Sequence, residues 1–367
     1  MILPRKKVLF LIPSLTGGGA ERVFSVLLTR LDRSRFDLHL AVLEAKGEYM
    51  SDVPTDVVTH DLKTPRVRYS IMRIVRLVWR LRPQTVLSTL GHMNLALLLC
   101  RPLLPRGTRI LVREAAVASA ALEGETGHPT LYKWLYRRFY RRADAVICLT
   151  DSMVDDLAQN FDVPRDKLIR IYNPIDAERV RGLGAISKNP YAGDGPHLVA
   201  VGRLTRQKGF DVLLRAMPAV LRQFPSARLT VLGQGPLREE LAKQTEQLGL
   251  TEVVEFLGFQ KRPWPFLRHA DLFVLPSRYE GTPNVLLEAL ALGRPIVACD
   301  CPGALQEIQA LGGELVLVPQ ENAEALAQAI VSVFHSLPKH NGLPDATPSC
   351  LKKFEVLQVV GEYSSLL

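Results

Sequence analysis

Short apolar runs rich in valine, isoleucine and leucine recur at residues 8–12, 38–43, 85–88, 110–112 and 145–149. Amphipathic stretches at 21–31, 71–81 and 132–140 separate several of them. Continuous apolar strands spaced by helices predict a parallel sheet covered on both faces, because a strand with one wet face would alternate instead. The alternation restarts at residues 198–201, 228–232, 253–257, 272–275, 296–298 and 315–318, with helical patterns at 210–223, 237–248, 285–292 and 323–334. Between the two sets, residues 182–195 carry Gly182, Gly184, Asn189, Pro190, Gly193 and Gly195, the composition of a linker. The pattern predicts an α/β chain of two doubly wound, Rossmann-like domains facing a central cleft, residues 1–185 and 186–350. A helical segment, 351–367, follows a Pro- and Gly-containing stretch at 337–348 and is expected to return to the first domain. A chain of 367 residues has room for two such cores.

Charge divides the halves. Up to Ala185 there are 29 basic and 19 acidic residues, a net of +10; from Ile186 onward there are 17 and 18, a net of −1. The first half therefore expects an anionic partner. The five cysteines, Cys100, Cys148, Cys299, Cys301 and Cys350, have no zinc or redox spacing and fit a reducing compartment. No apolar run reaches the roughly 18 to 20 residues that span a bilayer, and Pro13 breaks the run at 8–12.

Three segments carry the chemistry. Residues 277–289 read Ser-Arg-Tyr-Glu-Gly-Thr-Pro-Asn-Val-Leu-Leu-Glu-Ala and follow a predicted strand. Thr282 suits an N-cap and Pro283 a first helical position, so a helix start with open N–H groups is expected at the carboxyl edge of the sheet, where it binds phosphate. Glu288 sits among apolar helical neighbours and needs partners; sugar hydroxyls fit, as would a nearby arginine or plain solvent. Residues 202–209 read Gly-Arg-Leu-Thr-Arg-Gln-Lys-Gly after another strand. Gly202 permits a tight turn, and Arg203 with Lys208 would offset charge growing on a diphosphate leaving group; a solvated basic loop is the plain alternative. Gly17-Gly18-Gly19-Ala20-Glu21-Arg22 follows the first strand. It matches neither the dinucleotide nor the P-loop pattern, and is either a plain βα turn or a close approach of backbone to ligand.

In this order the three segments resemble glycosyltransferase family 4 of the GT-B fold. Glu280 and Glu288 match its E-x7-E pattern, 202–209 is similar to its G-R-x-x-x-x-K-G element, and 17–23 resembles the G-G-A-E-R-V start of members that build bacterial surface polysaccharides and lipid-linked oligosaccharides. Asn173-Pro174-Ile175-Asp176 matches its N-P-x-D. The resemblance implies a retaining transferase that moves a hexose or N-acetylhexosamine from a nucleotide sugar, a UDP-sugar, to a glycan or polyprenyl-diphosphate-linked acceptor, with no cofactor and no essential metal. It assigns the diphosphate to Arg203 and Lys208, the ribose to Glu288 and the donor-sugar hydroxyls to Glu280. Gly202, Gly281 and Thr282 complete the donor loops, the backbone at Asn284 and Val285 supports the distal phosphate, and Gly17 and Gly18 lie near donor phosphate and acceptor. Thr282 stands where many relatives carry a bulky apolar residue. His92 follows a strand and either contacts sugar or is structural; Arg113, Glu114 and Asp151 have the same standing, with a helix N-cap at Thr150 as the plain reading there. If a carboxylate nucleophile exists, it is Glu280. A sugar-nucleotide epimerase and a non-catalytic binding subunit are the other readings of the same motifs.

Two N-terminal stretches are basic and aromatic. Arg73, Arg76 and Arg80 share residues 69–82 with Ile71, Ile74, Val75, Val78 and Trp79, and Arg137, Arg138, Arg141 and Arg142 interleave with Trp134, Tyr136, Phe139 and Tyr140. Either stretch alone reads as an ordinary amphipathic helix packed on the sheet with its arginines solvated; together with the one-sided charge the two predict a cytoplasmic protein held peripherally on an anionic membrane surface by its first domain. No nucleic-acid-binding signature accompanies the high pI.

Overall fold

The computed structural model describes residues 4–125, 127–193, 195–336 and 346–367. The chain divides into two compact units, Met1–Pro174 with Val356–Leu367, and Ile175–Glu355. Asp194 of the expected linker and residues 337–345 of the expected Pro- and Gly-containing stretch lie outside the described residues.

The first unit is built on seven parallel strands: β1 (Lys6–Ile12), β2 (Phe36–Val42), β3 (Val58–Asp61), β4 (Thr85–Thr89), β5 (Arg109–Arg113), β6 (Ala145–Cys148) and β7 (Leu168–Arg170). Their order is β3-β2-β1-β4-β5-β6-β7, so the direction of winding reverses between β1 and β4. Helices α1 (Gly19–Arg30), α2 (Val67–Leu81), α3 (Gly91–Cys100), α4 (Ala118–Glu125), α5 (Pro129–Phe139) and α6 (Asp151–Phe161) connect them. Positions 8–12 of β1 are all buried, which is why that strand reads as one apolar run. The edge strands β3 and β7 are largely wet and carry no such run, so periodicity does not reveal them.

The second unit has six parallel strands: β8 (His197–Val201), β9 (Arg228–Leu232), β10 (Val254–Gly258), β11 (Leu272–Leu275), β12 (Ile296–Cys299) and β13 (Val316–Val318), in the order β10-β9-β8-β11-β12-β13. Its helices are α7 (Ala177–Ala185), α8 (Phe210–Gln223), α9 (Arg238–Gln247), α10 (Trp264–His269), α11 (Asn284–Ala291), α12 (Leu305–Ala310) and α13 (Ala323–Ser336). The dividing point falls at Pro174, earlier than the expected 185, because α7 packs on α10 and α11 and its Ala177, Val180 and Gly184 are buried there. The glycines of 182–195 that read as linker thus include the end of a packed helix: a side chain at Gly184 would strike Leu292.

The last helix, α14 (Val356–Leu366), belongs to the first unit. Arg35 donates to Ser364 Oγ at 2.7 Å and Arg109 to the Leu366 carbonyl at 2.8 Å. Ile175 and Glu355, the residues at the two crossings between units, form a parallel bridge, and Ile175 N donates to Phe354 O at 2.8 Å.

Candidate functional site

In an open parallel sheet the loops on either side of the winding reversal splay apart and leave a crevice at the carboxyl ends of the strands. In the second unit the reversal lies between β8 and β11. The loop after β8 is residues 202–209, and the loop after β11 runs from 276 to the start of α11. Two of the three chemical motifs therefore meet at one point because of strand order, although 67 residues separate them.

Backbone bonds fasten the two loops. Arg278 N donates to Gln207 O at 2.7 Å, and Gln207 Nε2 donates to Tyr279 O at 2.9 Å. Arg278 forks onto both oxygens of Asp211, at 2.9 Å each, from the first turn of α8. Gly209 takes φ +63°, and a Cβ there would lie 2.0 Å from the Pro276 carbonyl, so only glycine closes this junction. The junction delivers Lys208 to Glu280: Nζ to Oε1 is 2.6 Å, with Ser277 Oγ donating to the same oxygen at 2.6 Å. Glu280 is 4% exposed and the Lys208 side chain 16%. The aliphatic part of Lys208 crosses Gly202, where a Cβ would stand 3.1–3.3 Å from three of its carbons. Arg203 is exposed on the same loop. On the other side, Glu280 N donates to Pro302 O at 2.9 Å, and Gly303 (φ +142°) leaves room for the Glu280 and Gly281 carbonyls.

Helix α11 starts one residue later than expected. Pro283 occupies the cap position and no side chain caps it, so Thr282 is not the N-cap; it is a buried residue of the preceding loop. Proline fixes the entry φ without supplying an oxygen, and the first helical turn opens at the partly exposed Asn284 and Val285. Glu288, one turn on, is 1% exposed, so it is not a surface residue; the indole N–H of Trp264 on α10 donates to it. Trp264 and Gly303 support the site from outside the recognised motifs, and Ser277 and Gln207 lie within them without an assigned role; the signal for all four is tertiary.

The first unit reverses between β1 and β4, and the turns after these strands carry Gly17–Gly19 and His92. Gly17 has φ +57°, Gly18 caps α1 and Gly19 already belongs to that helix. The buried carboxylate of Glu21 folds back over Gly18, close enough that a Cβ there would fall 2.2 Å from its Oε2. The turn after β4 is strained: Leu90, not glycine, holds φ +74°. Gly91 lies against the Tyr136 hydroxyl, and His92 is exposed on the first turn of α3.

Beneath this turn is a buried polar cluster. Asn94 Nδ2 donates to Glu114 Oε1 at 2.8 Å, Ser88 donates to Asn94 Oδ1 at 2.7 Å, and the Tyr140 hydroxyl donates to Glu114. Burial, against the pull of these donors, pushes the Glu114 carboxyl up to about 7. Arg113 is fully buried and donates to Thr89 at 3.2 Å and to Asn173 beside the unit crossing. Arg113 and Glu114 thus bind protein groups. Asp151 pairs with Arg170 at 3.2 Å, while Thr150 is the N-cap, accepting from Met153 N at 3.0 Å. Among the described residues no group of three or more His, Cys, Asp and Glu could hold a metal ion.

Residues 17–179 match the model described as Glycosyltransferase Family 4, and residues 195–336 match the model Glycosyl transferases group 1. The chain belongs to glycosyltransferase family 4. This transferase is 26% identical over 364 residues to an N-acetylgalactosaminyltransferase of Campylobacter jejuni that acts on a diphospho-undecaprenol-linked saccharide, covering 96% of the present chain and 97% of that one. It is 27% identical over 304 residues to an amylovoran biosynthesis glycosyltransferase of Erwinia amylovora, covering 82% and 83% of the two chains. Matches to two archaeal glycosyltransferases of Methanocaldococcus jannaschii cover 44% of their length. Among solved structures, Anabaena HepE in complex with UDP-glucose superposes with a TM-score of 0.75 at 18% identity, over 98% of the present chain and 100% of that one, which establishes the GT-B fold.

Proposed function

We propose that this family 4 glycosyltransferase is a retaining enzyme. It takes a hexose or N-acetylhexosamine from a UDP-sugar and places it on a glycan or polyprenyl-diphosphate-linked acceptor during surface-polysaccharide or glycolipid assembly. It works at the cytoplasmic face of a membrane, where such an acceptor is presented. One observation carries the reading: Lys208 and Glu280, from the two loops that flank the β8/β11 reversal, meet at 2.6 Å beside the uncapped start of α11. The diphospho-undecaprenol-linked acceptor of the Campylobacter relative and the UDP-glucose bound by Anabaena HepE support the substrate classes.

In this reading Lys208 and Arg203 hold the donor diphosphate and stabilise the charge that grows on it, a contribution of about 3–4 kcal/mol per well-aimed group. The α11 N-terminus receives the distal phosphate through its backbone. Glu280 accepts from donor-sugar hydroxyls and Glu288 serves the ribose side. Gly202, Gly281 and Thr282 form the small-residue walls of the donor loops. The bond from the anomeric carbon to the phosphate oxygen breaks as the acceptor oxygen bonds the same face of that carbon. The acceptor proton passes to a phosphate oxygen of the departing UDP.

Thermal shift with a panel of UDP- and GDP-sugars identifies the donor, since a ligand bound only by the folded state raises Tm. Labelled donor is then incubated with and without lipid-linked acceptor, and the product anomer is read by NMR. Transfer that needs acceptor and keeps the anomeric configuration supports the reading. Acceptor-independent conversion of the donor would identify an epimerase, binding without turnover a carrier, and an inverted product would reject retention.

A further inference from the structure

Helices α2 and α5 each bury one face in the first unit, and their opposite faces are not simply polar. On α2, Tyr69, Met72, Arg76 and Trp79 fall at i, i+3, i+7 and i+10, a single outward stripe, while Ile74, Val75 and Val78 point into the core. On α5, Leu131, Trp134 and Arg138 repeat the spacing, with Tyr136 turned inward. Trp79 is 46% exposed and Trp134 56%. Of the eleven large apolar side chains exposed among the described residues, seven lie between residues 69 and 134.

The two stripes belong to one face. α3 packs against both α2 and α5. The Trp79 indole donates to the Leu103 carbonyl at 2.7 Å, bringing the turn after α3 alongside α2. Arg142 donates to Leu98 O at 3.5 Å and lies 4.7 Å from the Phe139 ring, which meets Trp134 edge-on at 6.3 Å. Residues 66–109 contain nine arginines and neither aspartate nor glutamate, and acidic groups reach this face as Asp144, paired with Arg101, and Asp162, paired with Arg137. Arg76, Arg80, Arg106 and Arg138 are exposed and make no ion pair among the described residues.

A solvated basic helix has no reason to turn tyrosine, methionine and tryptophan to water, and a contiguous exposed apolar patch marks an interaction surface. Outward aromatic and aliphatic side chains mixed with unpaired arginines fit a lipid headgroup layer, where rings sit at the acyl boundary and guanidinium groups meet phosphate. A nucleic-acid partner would use the charge and leave Met72, Leu103 and Leu131 unexplained. We propose that the α2–α3–α5 face docks on an anionic bilayer, with Trp79 and Trp134 seated at the interface. This adds a partner to the proposed reaction, rests on the lipid-linked acceptor for its purpose, and stands apart from donor identity.

The full chain is floated with vesicles of phosphatidylcholine alone or mixed with phosphatidylglycerol, at low and high salt. Binding is expected only to the anionic vesicles and is lost at high salt. The chain has three tryptophans, and the third, Trp264, is buried in the second unit. Brominated phosphatidylglycerol is therefore expected to quench wild-type fluorescence but not that of Trp79→Phe/Trp134→Phe. Arg76→Glu/Arg138→Glu lowers vesicle binding at least about tenfold, at roughly 1 kcal/mol for each charge near the surface. The UDP-induced thermal shift stays unchanged in these variants, which shows that they fold. No binding to anionic vesicles, quenching that persists in the tryptophan variant, or equal binding to RNA without quenching would each overturn the proposal. A UDP shift and acceptor-dependent transfer that survive such a result would leave the transferase reading intact.

Discussion

Removing Lys208 separates what the site does for stability from what it does for ligand. Lys208→Ala leaves Glu280 buried with the Ser277 hydroxyl as its remaining described side-chain partner. Breaking a fully buried ion pair costs about 3–5 kcal/mol, because the orphaned charge stays desolvated. Lys208 is 16% exposed, so water can enter the space it vacates, and the expected loss is about 2–3 kcal/mol. For a unit of this size that lowers Tm by roughly 4–12 °C. If Lys208 holds the donor diphosphate as proposed, the same change also removes a charge-assisted hydrogen bond to UDP, about 1.5–3 kcal/mol, or roughly 10–150-fold in Kd. Adding Glu280→Gln replaces the orphaned carboxylate with a neutral amide, so most of the lost Tm returns while UDP stays weakly bound. Differential scanning calorimetry and isothermal titration with UDP read the two effects. Wild-type affinity for UDP in Lys208→Ala refutes the diphosphate role. Equal Tm values for the single and double variants refute the buried-pair account, since nothing would then distinguish an orphaned charge from a neutral group.

Other sites test other parts of the structure. The Glu114 carboxyl has its folded pKa raised to about 7 from an ordinary 4.5, so the folded state binds more protons over that window and stability falls as pH rises through it. Glu114→Gln should gain on the wild type by up to roughly 3 kcal/mol between pH 4.5 and 8, read as the difference of their urea unfolding free energies; a constant difference rejects the buried carboxylate. His39 and His60 share a hydrogen bond at 3.1 Å, and burial lowers both pKa values. A lowered histidine pKa means the unfolded state binds more protons, so stability is lost as pH falls through about 6.5, and His60→Asn should flatten that acid limb of the Tm profile. A Cβ at Gly233, which holds φ +151°, would lie 1.8 Å from the Gly202 carbonyl, so Gly233→Ala should displace the Lys208 loop, cost about 1–3 kcal/mol or more and weaken UDP binding; unchanged affinity would show that this contact does not set the loop.

The sequence by itself determined the two parallel-sheet cores and the three motif loops. Fully buried strands such as β1 and β11 must be apolar at successive positions, and the reactive loops need glycine, cation and carboxylate at fixed short spacings. The strands at 58–61 and 168–170 leave no such trace, because a wet edge imposes no apolar run. The boundary at Pro174 was hidden because the glycines of α7 look like linker until Leu292 is seen against Gly184. Tertiary structure alone decided that Lys208 meets Glu280, since strand order, which no local pattern encodes, sets β8 beside β11. It alone placed Trp264 on Glu288, held Arg113 and Glu114 in a buried cluster, and turned Trp79 and Trp134 outward on one face. A short motif fixes which groups are available within one loop. Which groups face each other across seventy residues depends on how two helices and two strands pack, and that is a property of the folded chain.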